Sequence, residues 1–273
     1  MKKYYLFIAL AMVAAMTVSC KNNNKKAKEA AEATEEVVEA AKTILADDVL
    51  ATLDEIAKPF IDDAGKVDVQ QIIAANLTEK EKLVKPDYLL DPSEVKTLVT
   101  KSQKINALAI LLIEYPIRNA YEMPVDDAKE AIARLTADLN HPISVEDRDS
   151  MSVSEKVAES YRKCKENGEL PYFWQFEFAV QTEADYLISK NYDVFFRSLD
   201  EEQYASFLKK ITTVVNAVET LAKYDAEVKH ALDIFNANRV NTFDISKVTM
   251  EDGKKFFSER KDVFAARRAA LLK

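Results

Sequence analysis

The sequence predicts an all-α protein, a multi-helix bundle of eight to nine antiparallel helices, with a divergent helical repeat as the alternative arrangement. Three observations lead there. Only three of 273 residues are glycine, Gly65, Gly168 and Gly253, each at a boundary between helical patterns, and a β-rich fold with many tight turns needs far more. From residue 37 onward apolar residues recur at three- and four-residue steps, the spacing of a helix with one buried face. Capping residues stand at the start of most of these runs. The one stretch that resembles a strand, "NTFDISKVTM" at 241–250, is short.

The elements follow in order. Val37, Ala41, Ile44, Leu45, Leu53, Ile56, Ala57 and Phe60 share a face, which predicts a helix to about Asp63, ended by Gly65. "VDVQQIIAANL" at 67–77 is a short helix. Thr78 and Glu81 have the spacing of a reciprocal cap for another, which Pro86 stops. Asp91-Pro92-Ser93-Glu94 combines a capping side chain with proline in the first turn and opens a helix. That helix contains "INALAILLIEYPIRNAYEMP" at 105–124. Ala107 to Ile113 is apolar all round and belongs in the core, and Pro116 should kink or end the helix. Pro124 opens a helix through Leu139. "NHPISVEDRDSMS" at 140–152 is the longest polar connection, and a division of the helical body there stays open. Ser152 with Glu155 caps the next helix, which Gly168 ends. Pro171 opens "PYFWQFEFAVQTEADYLISKN" at 171–191. Asp200 with Gln203 starts a helix to Tyr224, Asp225 one to Arg239, and Thr249 with Asp252 the last, ending near Leu272.

Little catalytic chemistry is legible. Phosphate-cradling loops and nucleophile elbows need clustered glycines, and there are none. The formal charge of −8 makes a poor nucleic-acid binder. The two histidines, His141 and His230, are far apart and lack metal-ligand spacing; no metal and no cofactor is expected. His141, at a helix end, suits the negative pole of the dipole. Acidic pairs such as Asp126–Asp127 fall near helix starts, where the dipole favours them. Cys164 reads as an incidental half-buried thiol. Lys254, Lys255, Arg260, Lys261, Arg267, Arg268 and Lys273 make the C-terminal helix basic, which suits its dipole or an anionic surface. No catalytic residue can be named.

The aromatic helix is the most distinctive stretch. Tyr172, Phe173, Trp174, Phe176 and Phe178 place five aromatics in seven residues. A core-facing stripe accounts for Phe173, Phe176, Val180, Ala184 and Leu187. Tyr172, Trp174 and Phe178 then turn partly elsewhere, towards a second helix layer or a pocket, with Gln175 and Gln181 as polar groups in the block. Tyr172, Trp174, Phe178 and Gln181 are therefore the candidate contacts for a ligand or partner. The alternative is a central helix buried on most sides.

The N-terminus supplies an address. Lys2 and Lys3 precede an apolar run from Tyr4 to Met16, and Thr17-Val18-Ser19 leads into Cys20. A run of about 13 residues spans roughly 20 Å as a helix, short of a bilayer core. This pattern resembles the lipobox of bacterial lipoprotein precursors, with Thr17 where that family most often has Leu. The resemblance implies that residues 1–19 are a cleaved signal peptide and that Cys20 carries diacylglycerol and a further acyl chain such as palmitate. Residues 20–36, "CKNNNKKAKEAAEATEE", then form a tether ahead of a helical body spanning 37–273. Lys21 is not the Asp that favours inner-membrane retention in enteric-type bacteria, which implies the outer membrane. Surface lipoproteins of the Bacteroidetes type carry an acidic cluster after the cysteine; here no acid precedes Glu29, which implies a protein facing the periplasm. Asp149-Ser150-Met151 is similar to the O-glycosylation acceptor of such bacteria, with Ser150 as the acceptor. The expected function is a lipid-anchored envelope protein in a non-enzymatic interaction or scaffold role with an envelope protein partner. The alternative is a periplasmic binding module for a small apolar or mixed ligand on the helix at 172–188.

Overall fold

A computed structural model describes residues 45–142, 151–237 and 248–273. Cys20, the signal and tether segments, Ser150 and most of "NTFDISKVTM" lie outside the described residues. The fold is all-α. Among the described residues there are thirteen helices and no strand, and the chain on both sides of the 140–152 connection belongs to one unit, Thr43–Lys273.

The first helices are α1 (Asp47–Asp63), α2 (Val69–Asn76) and α3 (Glu79–Lys82), followed by a 3-10 helix (Pro92–Thr97). Next come α4 (Lys101–Ala120), α5 (Asp126–Asp138), α6 (Val153–Glu166) and α7 (Leu170–Lys190). The remainder are α8 (Tyr192–Arg197), α9 (Glu201–Leu221), α10 (Ala226–Ala237), α11 (Met250–Glu259) and α12 (Lys261–Leu271). Reciprocal caps form at Thr78–Glu81, Ser152–Glu155, Asp200–Gln203 and Thr249–Asp252, where the sequence predicts them.

The number of helices exceeds the eight to nine expected in part because two long runs break and in part because α8, Tyr192–Arg197, was not expected. Pro92 starts a 3-10 helix that stops at Thr97, and a second cap, Thr100 with Gln103, opens α4. The last run divides at Arg260, whose backbone leaves the helical region. Pro116 does not end α4, which continues to Ala120. Gly253 lies inside α11, not at a boundary, and is buried where a side chain would collide with the Tyr204 ring. Gly168 does end α6, with φ +69, a left-handed backbone that glycine adopts without strain.

α7 is the shaft of the bundle: 17 of its 21 residues are buried. Its first half packs with Leu53 and Phe60 of α1, Tyr161 and Cys164 of α6 and Val214–Leu221 of α9. Its second half packs with Ile73 of α2, Ile117 of α4, Phe195 of α8, Phe207 of α9 and Phe264 of α12. Cys164 is fully buried, not half-buried, and burial pushes its thiol up to about 12, so it is inert in the folded protein.

Two cations expected to serve the helix dipole or a surface are instead internal. Arg268 of α12 donates to Glu183 of α7 at 3.0 Å and to Glu114 of α4 at 2.6 Å. Glu114 also takes Arg118 at 3.0 Å and the Leu90 amide at 2.8 Å. Arg267 is buried over the Phe235 ring, 4.2 Å from its centroid.

Candidate ligand site

A cavity of about 940 Å³ opens beside α7. Six helices, α2, α4, α5, α6, α7 and α9, and the segment before α2 wall it. From α7 come Phe176, Glu177, Val180, Gln181 and Ala184, which recur at three- and four-residue steps and so form one stripe. α4 gives Leu112, Ile113 and Pro116; α5 gives Ile132 and Ala133; α6 gives Val153, Lys156 and Val157. α9 adds Phe207 and Lys210, and the approach to α2 adds Val67 and Asp68. The wall is mainly apolar, with a few polar groups converging on it, the composition of a small-molecule pocket.

The residues nominated from sequence separate here. Gln181 is on the wall. Tyr172, Trp174 and Phe178 are not; all three belong to the core beside it. Trp174 is completely buried, 5.0 Å from Phe173 and 5.4 Å from Phe60 between ring centroids. Phe178 meets Phe235 edge-on at 5.6 Å. The hydroxyl of Tyr172 lies 2.5 Å from His141 Nδ1. His141 is therefore not a plain surface histidine: it packs 4.8 Å from Phe176 and lines the cavity. The expected core stripe divides, with Phe173 and Leu187 in the core and Phe176, Val180 and Ala184 on the cavity.

Glu177 is the group with the least explanation in packing. It is 6% exposed, and it makes no hydrogen bond or ion pair with any described residue. Burial pushes its carboxyl up to about 7, opposed by the charge of Lys210. One turn on, Gln181 donates from Nε2 to Asp185 at 2.8 Å. That bond orients the amide, so its carbonyl oxygen is left with no donor among the described residues. Asp185 is also pushed up to about 7, by burial first, with Gln181 and Arg267 opposing. Across the cavity, burial raises the Asp68 carboxyl, while the Gln71 amide, at 3.1 Å, and the charges of Lys210 and Lys156 lower it. Pro116 has no N–H to give the Leu112 carbonyl, so that helical bond is missing, and both residues stand on the cavity wall.

Glu177 is the functional candidate that sequence reasoning missed, although a signal was present. It lies between Phe173 and Gln181 on a helix otherwise apolar on nearly every side. Asp68, Lys156 and Lys210 carried no comparable signal, because tertiary packing alone brings them to the cavity. Among the described residues no cluster of three metal-ligating side chains forms, and no helix is long and apolar enough to cross a membrane.

No known protein family matches the chain, and comparison with curated proteins and with solved structures finds no match.

Proposed function

We propose that the helical body is a binding module for a small amphipathic ligand, carried by a lipid-anchored protein of the cell envelope. The cavity carries this reading. Protein interiors are packed to crystal-like density and tolerate few voids larger than a water molecule. A space of about 940 Å³ lined by Leu112, Ile132, Val157, Phe176 and Val180 is far beyond a packing defect, and its size falls within the range of ligand pockets. Its buried polar groups, Glu177 and Gln181, sit on the most buried helix of the bundle, whose backbone is held by packing on both halves. A site on so rigid an element is pre-organised, which lowers the entropic cost of binding. This reading moves the emphasis from a scaffold role to a ligand-binding role, because the cavity is where chemistry converges.

Titration calorimetry with 1-octanol tests the pocket. A saturable heat with one site per chain is expected; a featureless titration up to the solubility limit contradicts the reading.

The anchor rests on the lipobox resemblance at Cys20, with outer-membrane attachment and a periplasmic face as its corollaries. Wild type should incorporate labelled palmitate and partition with membranes, and Cys20→Ala should accumulate as unlipidated precursor. A Cys20→Ala chain that matures and partitions as wild type does would show that the cysteine is not the anchor.

A further inference from the structure

We infer that the cavity selects a ligand whose polar end is a cationic amine, with Glu177 as its counter-ion and the Gln181 carbonyl as a further acceptor. This inference rests on the ligand-binding reading above and adds the chemical class.

The argument begins with what is unsatisfied. A carboxylate taken out of water is costly unless a charge or several donors meet it. Glu177 is buried on the cavity wall and no described residue donates to it. Elsewhere in the same protein the buried Glu114 holds two arginines and a backbone amide. Glu183 takes Arg268 and Asp185 takes the Gln181 amide, whereas Glu177, on the cavity wall, takes no donor among the described residues. Gln181 lies one turn away on the same stripe, with its amide nitrogen committed to Asp185, so it too presents an acceptor. A carboxylate and an amide carbonyl one turn apart on the cavity ask for a donor-rich group, and a primary ammonium brings three N–H bonds and a charge.

The charge of Lys210 favours an ionised Glu177, but no described lysine pairs with it directly. Lys210 makes no ion pair with a described residue, and its ammonium lies 5.8 Å from the centre of the Phe60 ring. Lys210 and Lys156 are half-buried, and both act on Asp68. Their charges act on Asp68, whereas Glu177 has no ion pair with any described residue. An anionic ligand would gain from the lysines only by competing with Asp68. An ammonium gains from Glu177, the buried acid of the wall that has no ion pair among the described residues.

Three eight-carbon probes differing only in the polar end decide the matter: octylamine, 1-octanol and octanoate, each titrated into the full chain at pH 8 and into Glu177→Gln. In wild type, octylamine should bind about tenfold or more tighter than 1-octanol, the worth of a buried charge-assisted contact. In Glu177→Gln the amine should fall to the affinity of the alcohol while 1-octanol binds as before, which also shows that the variant retains its cavity. Equal binding of the amine and the alcohol by wild type, or preference for octanoate, overturns the inference and leaves the pocket standing. An amine preference that survives Glu177→Gln overturns it as well, as does a Glu177→Gln chain that loses 1-octanol, since the side chain then only holds the wall. If no probe binds wild type, the ligand-binding reading itself fails.

Discussion

Glu177 and Trp174 stand three residues apart on α7, and the sequence drew attention to the wrong one. An aromatic in a cluster of aromatics is conspicuous, but Trp174 fills space against Phe60, Tyr161 and Phe173. A buried acid on a stripe shared with Phe176, Val180, Gln181 and Ala184 is less conspicuous and physically stranger. Its carboxyl is raised to about 7 by burial, so between about pH 4.5 and pH 7 the folded chain holds a proton there that the unfolded chain has released. The folded state therefore binds more protons over that window, and stability falls as pH rises through it. Above pH 7 the loss is complete, at most about 3 kcal/mol for this one group. Glu177→Gln removes the titration. Denaturant unfolding should find the variant more stable than wild type at pH 8 and close to it at pH 4.5. A variant no more stable at pH 8 would mean that the carboxyl is paired or well hydrated.

At the scale of elements, helix starts were legible and helix breaks were not. A cap is a local contract between a side chain and an amide three residues on, so Thr78, Ser152, Asp200 and Thr249 could be read directly. The break at Arg260 has no such signature, since the residues on either side are good helix formers and their neighbours decide. The same holds for the ionic link between elements. Arg268 looks like a helix-end cation in sequence, yet it ties α12 to both α4 and α7 through Glu114 and Glu183. Those two carboxylates have no exposure at all, and removing one partner of a buried network leaves charge without compensation. Arg268→Met, which keeps much of the volume, should lower unfolding free energy by about 3 kcal/mol or more. Arg162, half exposed between Glu159 and Glu166, supplies the contrast: Arg162→Met should change stability by roughly 0.5 kcal/mol or less. Equal effects in chemical denaturation would show that the Arg268 network is solvated.

For the whole molecule, the all-α class was open to reading because it depends on periodicity and on the shortage of glycine, both local quantities. The cavity was not, because it exists only where α4, α5, α6, α7 and α9 meet α2 and the segment before it, elements that bring together wall residues from 64 to 210. No local pattern records that Asp68, Lys156 and Lys210 converge. The consequence is that one helix, α7, carries both the centre of the core and the most buried wall of the site. Function and stability can be separated only at positions that face the cavity and are not fully buried. Val180 is such a position, half-buried on the wall one turn from Phe176 and Ala184. The most direct measurement is calorimetric titration of 1-octanol into wild type and Val180→Trp, with thermal unfolding of both. The indole should fill the space, so binding should weaken at least about tenfold while the melting temperature holds or rises. Unchanged affinity in a folded Val180→Trp chain would show that the ligand does not occupy this cavity.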